Sequence, residues 1–181
     1  MAIKPSEYYD SFLFGGVNML KDWGIRGYIV DGLIPAKKTR QLDIPGRDGV
    51  YDFGSKYYKN RALKVRCDTM RGHSREEIRR LARVLSTRSR IVFWNEPEKY
   101  YVGELQNQVE LTYLGSAGHA FELVFDCEPF AYGASRTTYW SNTTGNVVGY
   151  AGTARTPAVL TVKNAGTAPI QGLVVSIRQR I

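Results

Sequence analysis

Arg61-Ala62-Leu63-Lys64-Val65-Arg66-Cys67-Asp68, with Ser74-Arg75-Glu76-Glu77 leading into Ile78-Arg79-Arg80-Leu81-Ala82-Arg83-Val84-Leu85, decides the fold. In the first part apolar and charged residues alternate: Leu63, Val65 and Cys67 point one way, and Lys64, Arg66 and Asp68 the other. That period of two is a strand buried on one face. In the second part Ser74 and Glu77 have the spacing of a capping box, which satisfies two orphan backbone donors reciprocally. Ile78, Leu81, Ala82 and Leu85 then recur as one apolar stripe. The spacing predicts a helix from Ser74 to about Arg88, laid against a sheet with its arginines turned outward.

Strand signals continue on both sides. Phe12-Leu13-Phe14 and Ile25-Arg26-Gly27-Tyr28-Ile29-Val30 are short apolar runs separated by glycine. After the helix, Arg90–Trp94 and Tyr100–Leu105 flank the turn Asn95-Glu96-Pro97-Glu98 as hairpin partners. Val109, Leu111 and Tyr113 alternate with polar residues, the Gly115–Gly118 stretch turns, and Phe121, Leu123, Phe125 and Cys127 alternate again. The expected fold class is α+β: a mainly antiparallel β domain, ending in a four-stranded meander, with one packed helix.

Two segments stand apart. Residues 31–56 lack either period and hold Gly32, Pro35, Pro45, Gly46, Gly49 and Gly54, which reads as an extended arm or hairpin leaving the domain. Its apolar anchors Leu42, Ile44 and Val50 lack cover in so short a segment. Gly46 and Gly49 permit turn conformations closed to other residues, and Pro45 stiffens the approach. Arg47 and Asp48 would either pair across an interface or hold the turn locally. Leu42, Ile44, Pro45, Gly46, Arg47, Asp48, Gly49 and Val50 are therefore the candidate subunit-interface residues. The second segment, residues 134–181, contains no acidic residue and is rich in Thr, Gly and Val. Thr137–Trp140, Asn146–Tyr150, Pro157–Asn164 and Gly172–Arg180 read as strands of a β-sandwich too short to be complete, after a boundary near Tyr132–Ser135.

Composition narrows the function. The chain of 181 residues carries a net charge of +8, distributed as +2 over residues 1–60, +7 over 61–90, −6 over 91–133 and +5 over 134–181. Adjacent stretches of opposite sign can attract each other within one chain or in a neighbouring copy. The 12 tyrosines suit half-buried positions, subunit contacts included. Cys67 and Cys127 fall in phase with apolar neighbours and read as small buried thiols. With only two histidines, His73 and His119, the chain shows no metal-ligand spacing. Asp52-Phe53-Gly54 spells the kinase magnesium triplet, but the other kinase motifs do not accompany it. No nucleophile elbow, phosphate loop or dinucleotide fingerprint is present, so neither an enzyme nor a cofactor is expected. No apolar run approaches membrane-span length and no signal-peptide layout opens the chain, so it is expected to stay in the cytoplasm unless it leaves within a larger particle. A basic overall balance motivates a nucleic-acid-binding alternative, and residues 134–181 motivate a carbohydrate-binding sandwich.

Together, Ile44-Pro45-Gly46-Arg47-Asp48-Gly49, the strand and capped helix, the Ile91–Trp94/Tyr100–Leu105 hairpin and the closing Phe121-Glu122-Leu123-Val124-Phe125-Asp126-Cys127-Glu128-Pro129-Phe130-Ala131-Tyr132-Gly133 resemble the siphophage distal tail protein family, Dit, over roughly residues 10–133. The resemblance implies a tail-tube-like split barrel or sandwich over residues 1–133 that forms a hexameric ring. It implies a virion protein assembled in the host cytoplasm, with a tail-tube protein on one side and a tip or baseplate protein on the other. DNA would pass non-specifically through a central channel. Residues 134–181 would begin a galectin-like sandwich.

Overall fold

A computed structural model of the chain describes residues 9–30, 34–54, 56–113, 118–140, 148–150, 152–169, 171–172 and 174. The elements are β1 (Phe12–Phe14), β2 (Val17–Asn18), α1 (Met19–Trp23), β3 (Ile25–Val30), β4 (Gln41–Asp43), β5 (Val50–Asp52), β6 (Arg61–Thr69), α2 (Arg75–Leu85), β7 (Ser89–Phe93), β8 (Lys99–Leu105), β9 (Thr112–Tyr113), β10 (His119–Cys127) and β11 (Tyr132–Gly133). Strand and helix types therefore follow the α+β, mainly antiparallel reading. The main sheet runs β2-β1-β7-β8-β10-β6-β3, with β9 on β10 and β11 on β8. β4 and β5 form a separate two-stranded ribbon.

The long strands carry the alternation that predicted them. β6 and β10 pair antiparallel from Asp68↔Ala120 to Arg61↔Cys127, so Leu63, Val65, Leu123 and Phe125 share the inner face and are buried. Phe12, Phe14, Ile91 and Phe93 enter from the β1–β7 side. The Phe14 and Phe125 rings stack with centroids 5.4 Å apart. Cys67 and Cys127 are buried free thiols, and burial pushes the Cys67 thiol well above its usual range.

The sheet closes on itself. The chain just ahead of β1 meets β3: Gly27 N donates to Asp10 O at 2.9 Å, and Ser11 Oγ donates to Ile25 O at 2.7 Å. On its other side, Trp94 N donates to Ser11 O at 3.3 Å. Residues 10–11 thus tie the last strand of the sheet to β7 and seal a split barrel. Ser11 is fully buried, so this hydroxyl needs the partner that the seam supplies.

α2 has the predicted capping box: Glu77 N donates to Ser74 Oγ at 3.2 Å, and Ser74 N donates to Glu77 Oε2 at 2.8 Å. Its core-packed face differs from the expected stripe, and Ile78 is only half-buried. Ala82 is exposed, and Val84 packs beside Leu81 and Leu85 against the core. The helix is rotated to present its larger side chains, which bury more apolar area than alanine would.

Two expected features are corrected. The four strands after the helix are not a consecutive meander. β8 pairs directly with β10, and only Thr112–Tyr113 of the expected Val109–Tyr113 strand joins the sheet. Asn107 is the reason: its side chain donates to Glu122 O at 2.9 Å and accepts from Val124 N at 2.7 Å. It takes the place of ladder bonds, and residues 108–111 leave the sheet. The expected strands Thr137–Trp140 and Pro157–Asn164 form no ladder either. In the unit Trp140–Ile181, Val159 is 94% exposed, with no strand layer over it among the described residues, and a strand without such a layer is not stable. The Asn142-Thr143-Thr144 spelling of a glycosylation sequon, Asn146 and Val147 of the expected Asn146–Tyr150 strand, most of the Gly172–Arg180 strand and residues 115–117 of the Gly115–Gly118 turn lie outside the described residues, as do residues 31–33 and Ser55 of the arm.

Candidate assembly interface

The arm is a hairpin. β3 ends at Val30, β6 begins at Arg61, and the two strands are neighbours paired through Val30↔Lys64. Between them the chain runs out and back. The stem is held by Lys59 N donating to Ala36 O at 2.7 Å, Lys38 N to Tyr57 O at 2.9 Å, and Phe53 N to Arg40 O at 3.1 Å. β4 and β5 continue it through Gln41↔Asp52, Leu42↔Tyr51 and Asp43↔Val50. At its base, the Tyr58 ring packs edge-on against Phe130 with centroids 5.1 Å apart.

The tip follows from its sequence. Arg47 N donates to Ile44 O at 3.2 Å, closing a turn over Pro45-Gly46. Gly46 and Gly49 have φ of 82° and 77°, in the left-handed region where a Cβ is costly. Asp52-Phe53-Gly54 is a local turn, with Asp52 Oδ1 accepting from Gly54 N at 2.9 Å and Gly54 at φ 66°.

Strand alternation sorts the arm into two faces. Leu42 and Tyr51 are cross-strand partners, and Phe53 lies two residues on from Tyr51. The Tyr51 and Phe53 rings meet edge to face at 4.9 Å. The Arg40 guanidinium lies over Phe53 at 5.7 Å and that of Arg47 over Tyr51 at 5.6 Å. This face is open: Leu42 is 52%, Tyr51 43% and Phe53 57% exposed. Gln41, Asp43, Val50 and Asp52 take the other face.

Of the residues singled out from sequence, the hairpin gathers all eight at its end. Pro45, Gly46, Arg47, Asp48 and Gly49 are exposed, and Ile44 is half-buried at the tip. The three apolar anchors do not share a face. Val50 stands opposite Asp43, away from Leu42. Arg47 lies on the Tyr51 ring, and among the described residues it makes no ion pair with Asp48. Sequence reasoning missed Arg40, Tyr51 and Phe53. The signal was present as the Tyr51-x-Phe53 alternation opposite Leu42, hidden by the glycines around it.

The barrel carries a polar cluster near β11. Arg88 bonds Glu128 at 2.7 Å, and the Tyr132 hydroxyl donates to the same carboxylate. The tyrosine bond, then Arg88, hold Glu128 below the usual carboxylate range. The cluster ties β11 to the start of β7 and the end of β10. Among the described residues, no group of three or more His, Cys, Asp or Glu side chains is placed to hold a metal ion.

A curled antiparallel sheet with one covering helix and a projecting two-stranded arm defines a Dit-like fold. No protein-family profile matches the sequence, and neither does any curated protein. Among solved structures, the chain is similar to the crystal structure of phage SPP1 Dit (gp 19.1), described as a paradigm of the hub adsorption apparatus in phages that infect Gram-positive bacteria. The TM-score is 0.55 and the identity 21%, over 68% of this chain and 51% of that one. The chain thus spans about half the length of that protein. At this identity the likeness concerns the fold.

Proposed function

We propose that this chain is a structural subunit of a phage tail, a distal-tail hub that assembles with copies of itself into a ring. The observation that carries the reading is the open face of the arm. A two-stranded hairpin is marginally stable alone in water, and this one leaves Leu42, Tyr51 and Phe53 uncovered. A second copy that covers them offsets the cost of holding the arm out. The Dit-like fold supports a ring of six in the virion. In this reading a tail-tube protein lies on one side, a tip or baseplate protein on the other, and DNA passes through the middle without sequence recognition. The role is scaffolding, not catalysis. Residues 134–181 are proposed as the opening of a β-sandwich, on the strength of Val159, Leu160 and Val162, apolar residues left exposed for a covering layer.

The test is to delete Arg40 to Tyr51, bridge the ends with a short Gly-Ser linker, and compare masses in solution. A parent of six subunits and a folded monomeric variant support the proposal. A variant that forms rings as readily as its parent removes the arm as the assembly element.

A further inference from the structure

We infer that α2 and the outer face of the β8–β10 pair are the two halves of a second contact between copies, with Arg75, Arg79 and Arg83 of one subunit set against Glu104 and Asp126 of the next. This rests on the self-assembly proposed above and concerns a surface separate from the arm.

The first half is the outer face of α2. With Leu81, Val84 and Leu85 turned to the core, Arg75, Arg79 and Arg83 stack at intervals of one turn on the exposed side. Nearby arginines are neutralised, Arg80 by Glu76 and Arg71 by Glu77 at 3.1 Å. The three stacked ones have no ion-pair partner among the described residues. Like charges four residues apart repel. Arg75, the first helical residue, also faces the positive end of the helix dipole. In a lone subunit this stripe is therefore a cost.

The second half is the mirror case in sign. Glu104 and Asp126 are directly opposite in the β8–β10 register and point away from the core. Like charges in that position also repel. Asn60 Nδ2 donates to Asp126 Oδ2 at 3.1 Å, but Glu104 has neither a hydrogen bond nor an ion pair among the described residues. The field of both carboxylates reaches Arg88, whose guanidinium is already bonded to Glu128 at 2.7 Å.

A ring closed by rotation needs two different, complementary patches on each subunit. A cationic stripe without ion-pair partners among the described residues and a pair of facing carboxylates meet that requirement. Nucleic acid would account for the arginines and leave the carboxylates unexplained. Charge complementarity of this kind fixes register and speeds assembly, and it weakens with salt.

The test reverses each half separately, as R79E/R83E and E104K/D126K. Circular dichroism checks the fold, and E104K alone serves if the double variant does not fold, since Glu104 is exposed. Masses are then measured across a salt series. Each reversed variant is expected to assemble roughly tenfold or more weakly than the parent at low salt. An equimolar mixture of the two regains assembly, because alternating copies restore opposite charges at every contact of an even-numbered ring. Variants that assemble like the parent, or a mixture that stays dissociated, overturn the contact and leave the arm-built ring standing. Loss of binding to a labelled DNA duplex in R79E/R83E, with mass unchanged, assigns the stripe to nucleic acid instead. A parent that is monomeric at every salt concentration overturns this contact together with the ring.

Discussion

The ring of Phe12 occupies the space that a side chain on Gly27 would need: a Cβ built there lies 2.7 Å from Phe12 Cε1 and 2.8 Å from Cδ1. The two residues sit on the strands that the Asp10–Ser11 seam joins. Gly27→Ala is expected to force this packing apart at a cost of ~1–3 kcal/mol. Gly72→Ala, where nothing lies within 4 Å of the built Cβ, should leave stability unchanged or slightly raised. Urea midpoints of the two variants make the comparison. Equal shifts would remove the seam as a packed element.

The rotation of α2 gives the second prediction. Leu85 is 3% exposed, and Leu85→Ala should cost ~2–5 kcal/mol. Ala82→Gln should change stability by no more than ~0.5 kcal/mol, because the new side chain enters water from a helical position that glutamine tolerates. A large loss at Ala82 in the same denaturation series would restore the stripe expected from sequence.

Acid should loosen the helix start late. The Ser74 backbone bond, then Arg71, hold the Glu77 carboxyl at about 2, against an ordinary 4.5. The folded value is depressed, so the stabilisation is fully present above the unfolded pKa and is lost as pH falls from about 4.5 through about 2. E77Q removes this dependence. Its helical circular dichroism, followed over that window, should be flatter than the parent's. Identical acid profiles would show that the cap charge contributes nothing.

On the arm, assembly and folding should separate. L42D and Y51D place charge on side chains that are about half exposed in the subunit, so thermal unfolding of the subunit should shift little. The same changes should abolish ring formation if a neighbour covers that face, because an unpaired charge would be buried there. Sedimentation of both variants checks this. Rings that survive both substitutions would contradict a docked aromatic face.

Legibility followed locality. The faces of β6 and β10 could be read because Leu63/Val65/Cys67 and Phe121/Leu123/Phe125/Cys127 are each buried on one side of a single strand. The α2 start could be read because its cap lies within four residues. α1 was missed: five residues show no period, and its signals are the Asn18 cap and left-handed Gly24 alone. The seam was missed because Asp10 and Gly27 meet only when the sheet has curled. Val109–Leu111 misled because alternation records which side chains could face a core, while Asn107 decides which backbone joins the ladder. In the arm, Leu42, Ile44 and Val50 were named by apolarity, but the Leu42↔Tyr51 register puts Leu42 and Val50 on opposite faces, which residue types do not reveal.

The arm departs and returns at adjacent, hydrogen-bonded strands, Val30 beside Lys64. Whatever lies between those two points closes the same gap, and the entropy of that closure rises only logarithmically with loop length. The barrel is thus indifferent to how far the excursion travels. Reach can be lengthened, shortened or exchanged without renegotiating the core, so the arm is a graftable part whose span can change while the body that carries it stays constant.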